Sequence, residues 1–298
     1  MAVVLEDRMD EDNASPEKDK QLNDDTESVT VNLLGEAYDI EPVSESEALK
    51  KHHPGHYAPS NPYVEFTPFE KDSELYACLR NEFVEYKQTT TLREAKLLRI
   101  IISQIKSNTT DFFTYRIKVK DLADMLEIGP KSIYRDIKQI CQNLHHRIVT
   151  IERPDGTWTN LSWVERSEYD GKYITICLSN ALKPFLINLD KNYVQYQIKD
   201  ISGFTSIYGL RLYEILKARF NKFKNKKTSF SFSLDELRYK LNCDDKHTDF
   251  MHFNSRVLQM AAEDINNNQF AKFMVSYDKE TEGRKVVGII FHIIPKND

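Results

Sequence analysis

DFMHFNSRVLQMAAEDINNN, Asp249 to Asn268, decides how the rest of the chain is read. At about 100° per residue, Phe250, Phe253, Val257, Leu258, Ala261, Ala262 and Ile265 fall on one side, and His252, Ser255, Arg256, Gln259, Glu263 and Asn266 on the other. The stretch is therefore expected to be one amphipathic helix that buries an apolar stripe. The first half of its outer face, with Asn254 beside it, carries groups that hydrogen-bond to base edges and phosphates. It has one formal positive charge and no acid before Glu263. An ordinary solvated helix face fits this pattern too when the stretch is taken alone, so its neighbours must decide.

Upstream, the same grammar occurs once before. Thr91 to Lys106 reads as a capped helix with Leu97, Leu98, Ile101, Ile102 and Ile105 at helical spacing, following a short helix over Glu74 to Tyr86. A strand over Phe113 to Ile117 and a helix over Lys120 to Glu127 come next, stopped by Gly129-Pro130. A further helix over Lys131 to Arg147 turns Ile133, Ile137, Ile140 and Leu144 inward and Lys131, Arg135, Lys138 and Gln142 outward. Two short helices around a Gly-containing turn make a helix-turn-helix, and the strands expected over Ile148 to Glu152, Thr157 to Arg166 and Tyr173 to Leu178 supply its wing.

An offset of 115 residues takes Leu97, Ile101 and Ile105 to Leu212, Leu216 and Phe220, and takes Ile117, Leu122 and Leu126 to Phe232, Leu237 and Leu241. After a slightly longer turn, CDDKHTD, an offset of 120 takes Ile133, Ile137 and Cys141 to Phe253, Val257 and Ala261. A closing strand pair, Ala271 to Tyr277 and Lys285 to Ile294 joined through Asp278 to Arg284, is a second wing. Ordered repetition over three elements points to internal duplication. The fold class is α+β: two tandem winged helices, residues 61–190 and 191–298, after an acidic tail, residues 1–60.

That tail holds 15 Asp/Glu against 5 Lys/Arg and few large apolar groups, so it is expected to be disordered. The remaining residues carry 36 basic against 31 acidic groups, so the chain's net charge of −5 hides a mildly basic folded part. No apolar run is long enough for a membrane span, and the N-terminus lacks a signal-peptide pattern, so the expected location is cytoplasmic. Four scattered cysteines suggest neither disulfides nor a zinc site, and the loop HHPGH (His52 to His56) lacks fixed ligand geometry.

Enzyme signatures are missing. The nine glycines form no phosphate loop and no GxSxG elbow is present, while a tyrosine nickase would need a His-x-His metal pair that this chain lacks despite 15 tyrosines. No catalytic residue, cofactor or metal site is indicated. The basic groups point instead to nucleic acid. Lys217, Arg219, Lys222, Lys224, Lys226 and Lys227 in KARFNKFKNKK suit either a dipole-complementing helix end or phosphate contact. Lys272, Lys279, Arg284 and Lys285 in the second wing, and Lys246 and His247 in the turn before the opening helix, are further candidates. Lys131, Ser132, Arg135, Lys138 and Gln139 do the comparable job for the first unit.

Several motifs, in this order, resemble the Rep_3 family of plasmid replication initiators over residues 62–294. They are FTYRIKVKDLADML, KSIYRDIKQICQNL, YGLRLYEILKARFNK with its Leu-Tyr-Glu core, FSLDELRYKLN, and FNSRVLQMAAEDINNN with Asp264 where Glu is usual. The resemblance implies double-stranded DNA as partner, at repeated origin sites called iterons, with both winged helices in successive major grooves. It also implies contacts with a host replication initiator and helicase, a plasmid-associated location in the nucleoid, and dimers through the first winged helix that repress the protein's own promoter. By position, Asp249 to Gln259 would be the main base-reading segment and Lys131 to Gln139 the secondary one, with the strands around Thr157 to Arg166 and Tyr173 to Leu178 as candidates for dimer contacts. A tandem winged-helix transcription regulator is the alternative, and a tyrosine-dependent nickase a remote one.

Overall fold

The computed structural model describes residues 29–33, 36–40, 64–65, 75–106, 110, 112, 114–126, 129–222 and 226–296. The chain divides into two units, residues 1–58 and 59–298. In the first, β1 (Val29–Leu33) and β2 (Glu36–Ile40) form an antiparallel hairpin, Val29 opposite Ile40. Its β-branched Val29, Thr30 and Val31 favour a strand, an element that overall acidity and low hydrophobicity do not reveal. The HHPGH run lies outside the described residues.

The second unit opens with β3 (Val64–Glu65), β4 (Tyr76–Arg80), α1 (Asn81–Glu85) and β5 (Lys87–Gln88). The helix expected over Glu74 to Tyr86 is therefore a strand followed by a single helical stretch. Ala77 and Leu79 are buried while Tyr76, Cys78 and Arg80 are half-buried, a period of two. The strand exists because residues Tyr193–Gln197 pair with it, Ala77 opposite Tyr196.

Next come α2 (Leu92–Ile102), β6 (Thr114–Lys118), α3 (Val119–Met125) and α4 (Pro130–Leu144). The threonine-rich start caps α2 as its sequence suggests: Thr91 Oγ1 accepts from the Glu94 amide, and Glu94 Oε2 accepts from the Thr91 amide at 2.8 Å. Four strands follow, β7 (Ile148–Glu152), β8 (Trp158–Ser162), β9 (Val164–Tyr169) and β10 (Tyr173–Leu178). The single strand expected over Thr157 to Arg166 is thus divided at Trp163, whose fully buried ring marks the point where the chain changes sheets.

A 3-10 turn, α5 (Lys183–Leu186), β11 (Tyr193–Gln197) and α6 (Ile198–Ser202) lead into the second half. It comprises α7 (Ile207–Lys222), β12 (Thr228–Ser233), α8 (Leu234–Lys240), a long helix α9, β13 (Phe273–Glu282) and β14 (Lys285–Pro295). Helix α9 is built from Phe250–Phe253, a π-helical Asn254–Gln259 and Met260–Asn267 in unbroken succession. The final hairpin is tighter than expected, because Asp278 to Glu282 continue β13 and the chain reverses only at Gly283, with φ of 60°. No helix among the described residues is long and apolar enough to cross a membrane.

The duplication is visible in three dimensions. The first half contains the strand order β6-β10-β9 and the second has β12-β14-β13, in each case the first, third and second strands of a winged helix. The first wing is therefore β9–β10, and β7–β8 is an additional hairpin. Of the paired apolar positions, all are buried except Ile105, which packs half-buried against the same core.

The halves share a buried charge cluster. Glu214 Oε1 and Oε2 accept from Arg99 Nε at 2.7 Å and Nη2 at 3.0 Å, and Oε2 also accepts from Arg211 Nη1 at 2.8 Å. The Tyr196 hydroxyl donates to Glu214 as well, and Arg211 Nη2 reaches the Tyr86 carbonyl at 3.0 Å. Burial alone pushes the Glu214 carboxyl up, but Arg99, with Arg211 and Tyr196 behind it, brings it down to about 2. Glu214→Gln leaves two buried guanidiniums short of their counter-charge and is expected to cost about 3 to 5 kcal/mol in urea unfolding at neutral pH. Because the folded carboxyl titrates below its ordinary 4.5, the wild-type advantage is full above that pH and shrinks as pH falls toward 2. An advantage unchanged between pH 6 and 3 would contradict this assignment.

Candidate nucleic-acid interface

Helix α9 buries Phe253, Val257, Leu258, Ala261, Ala262 and Ile265 and exposes His252, Ser255, Arg256, Gln259 and Glu263, as its periodicity requires. Asp249 caps it: its carboxylate accepts from the His252 amide at 2.9 Å and meets the His252 ring, and these bonds hold that carboxyl below its usual range. Asn254 is half-buried, its Oδ1 accepting from the Tyr277 hydroxyl at 3.0 Å, so the wing strand β13 fixes this residue. Ser255 donates to the His252 carbonyl at 3.4 Å and Gln259 to Glu263 Oε1 at 3.0 Å. Arg256 is exposed and has no partner among the described residues.

The turn between α8 and α9 is held from behind by Arg238, whose role the sequence reading missed. Its guanidinium donates to the carbonyls of His247 at 2.6 Å and Thr248 at 3.0 Å, approaches that of Lys246 at 3.5 Å, and lies 4.4 Å from the Phe253 ring centre. This matters because His247 and Asn242 adopt φ of 51° and 56°, conformations side-chain-bearing residues seldom take. Lys87 Nζ pairs with Asp244 at 2.5 Å and the Tyr239 hydroxyl donates to the Thr150 carbonyl at 2.7 Å, tying this helix-turn-helix to the first half. Lys246 stays exposed beside them, with His247 half-buried. The one available signal for Arg238 is its place in FSLDELRYKLN, four residues before a turn with no glycine to relieve it.

The basic run at the end of α7 and just beyond it divides. Lys217 is buried, with its ammonium near the Phe220 ring, and Arg219 pairs with Glu85 at 3.2 Å and Glu236 at 3.3 Å. Lys217 is thus withdrawn from the surface and Arg219 is engaged within the protein, unlike the open basic cluster that their sequence suggests. Their neighbours Glu85, Glu236 and Lys240 form a local ion-pair network. Lys226 and Lys227 are exposed, whereas Lys224 and the side chain of Lys222 lie outside the described residues. At the second wing Arg284 and Lys285 are exposed at the hairpin end, where Glu280 and Glu282 offset part of their charge.

On α4, Lys131, Arg135, Lys138 and Gln139 are exposed and Ser132 is half-buried. Arg135 is not a free fork, however: Nε pairs with Asp136 at 2.7 Å, an acid that Arg93 also approaches at 3.4 Å. Gln139 donates to Asn143 Oδ1 at 2.7 Å. On α4 the guanidinium is thus paired and the exposed charge left over is that of Lys131 and Lys138, whereas α9 offers a guanidinium without a partner among the described residues.

Two family models match in succession: the initiator replication protein WH1 domain over residues 78–217 and the initiator Rep protein WH2 domain over residues 233–293. The chain belongs to the Rep_3 family of initiator replication proteins. A replication initiation protein of Escherichia coli is 24% identical over 226 residues, 74% of this chain and 70% of its own length. The PI protein of Escherichia coli is 24% identical over 216 residues, 62% of this chain and 70% of its own. Among solved structures, the Pi initiator protein in complex with iteron DNA superposes with a TM-score of 0.63 at 21% identity, covering 76% of this chain and all of that one. That likeness extends the fold assignment to both halves together.

Arg238→Ala is expected to release the α8–α9 turn. Amide hydrogen exchange over residues 244–249 should accelerate at least tenfold while β6 and β10 keep their protection. Unaltered exchange there would mean that another contact holds the turn.

Proposed function

We propose that the protein initiates replication by binding repeated sites, iterons, in double-stranded DNA, with α9 as main reader and α4 as secondary one. The observation that carries this is Arg256: exposed, without a partner among the described residues and on the half of α9 before Glu263, within a helix-turn-helix whose turn is clamped and whose wing pins Asn254. Its planar fork matches the O6/N7 edge of guanine. The family and the iteron-bound relative give the replication context. Lys226, Lys227, Arg284 and Lys285 serve as phosphate contacts that set register without reading sequence.

The rest of the reading follows the family. The protein acts by binding, not catalysis, in the cytoplasm on plasmid DNA, and hands the origin to a host initiator and helicase. As a dimer through the first winged helix it represses its own promoter. The edge position of β8 in its sheet, with Trp158 64% exposed, supports self-association there. A transcription regulator of the same architecture would bind DNA equally well, but would not sustain a plasmid bearing only this gene and its flanking DNA.

In titrations, Arg256→Ala should weaken binding to the cognate repeat by about 1 to 3 kcal/mol and leave binding to unrelated DNA nearly unchanged. Unchanged affinity for the repeat would remove Arg256 from this role. Lys226→Ala and Lys227→Ala should weaken binding to all sequences alike, each lowering the log-log salt slope by about 0.9. A slope equal to wild type would exclude them as phosphate contacts.

A further inference from the structure

Most outward side chains in the first half of α9 are engaged within the protein: His252 with Asp249, Asn254 with Tyr277, Ser255 with the His252 carbonyl and Gln259 with Glu263. Two are not. One is Arg256; the other is Met251, which is 71% exposed, more than any other large hydrophobic side chain among the described residues. Met260, at 45%, lies in the later half of the helix, away from its first turn. Met251 instead stands in the first turn, where groove-reading helices present side chains to base edges.

The π-helical segment brings these two side chains into relation. Five residues apart on a regular α-helix, they would diverge by roughly 140°. Asn254–Gln259 is π-helical, with hydrogen bonds between residues five apart and therefore more residues per turn, which lessens that divergence. The face thereby offers one charged fork and one apolar, deformable thioether chain with nothing of the protein to cover it.

We propose that Met251 is a specificity-determining residue that covers the 5-methyl group of a thymine close to the guanine read by Arg256. Thymine alone among the bases presents an apolar group in the major groove. Five residues of helix rise span about 7.5 Å, roughly two base-pair steps, so the thymine lies about two base pairs from that guanine. The assignment rests on the initiator reading and sharpens it, since it states which second base the site must contain.

The test uses the full chain and the repeat it protects from nuclease, with each thymine replaced singly by deoxyuridine. One replacement, about two base pairs from the guanine whose 7-deaza analogue no longer affects Arg256→Ala, should weaken wild-type binding about fourfold, the effect of one buried methyl group. Met251→Ala should lose this sensitivity and bind the unmodified repeat at least fourfold more weakly, whereas Met251→Leu should keep both. Methyl effects that are absent, or identical in wild type and Met251→Ala, overturn the Met251 assignment and leave the initiator reading standing. A chain that protects no repeat overturns both.

Discussion

The pairing of Arg99 with Glu214 is the constraint on which the rest of the structure depends. These residues are related by the same offset of 115 that relates Leu97 to Leu212 and Ile101 to Leu216, so each is the other's counterpart in the duplication. A residue can touch its own repeat-mate only where the axis relating the two copies passes nearby. Helices α2 and α7 therefore meet at that axis, and the copies are locked there by a carboxylate between two guanidiniums with all three groups buried. Such a cluster contributes less to stability than an apolar contact of equal volume, since Arg99 Nη1 and Arg211 Nε keep no partner. What it supplies is register: a slip of the halves would strand charge in the core. The Leu-Tyr-Glu core of the family motif acquires a physical meaning here, with Glu214 bonding to Arg99 and Tyr213 stacking on Phe273 at 4.9 Å.

From that junction outward, each further contact narrows the freedom of α9. Lys87 and Thr150 hold its helix-turn-helix against the first half, Arg238 closes its turn, Tyr277 fixes Asn254, and Lys279 lies 5.2 Å from the Phe250 ring centre. Asp264, half a helix further on, accepts from the amides of Thr205 and Ser206 and so ties the far end of α9 to the start of α7. The scaffold ends in a pre-set face with its polar groups mostly occupied and two side chains free. Preorganisation of this kind limits the ordering cost of binding and makes discrimination depend on the few groups left unengaged.

Much of this was legible in the chain. Helical periodicity located α2, α4, α7 and α9 because each buries a continuous stripe, and comparing the stripes exposed the duplication. The failures have physical causes too. Tyr76–Arg80 forms a strand only because residues more than a hundred positions away pair with it, which no local pattern signals. Trp163 divides a run of strand formers because its burial moves the chain between sheets. Arg219 and Lys217 belonged by composition to a basic cluster, but Glu85 and Glu236, distant in sequence, make Arg219 structural. The π turn in α9 leaves the apolar stripe buried as regular periodicity requires, so amphipathicity locates the helix without revealing that turn.

Locked together in this way, the two winged helices are expected to read a repeated DNA site as one unit. Nuclease protection by the full chain on the DNA flanking its own gene tests it most directly. Several protected segments of common sequence at regular spacing are expected, each long enough for two successive major grooves. A single protected half-site, or protection without a recurring sequence, would contradict it.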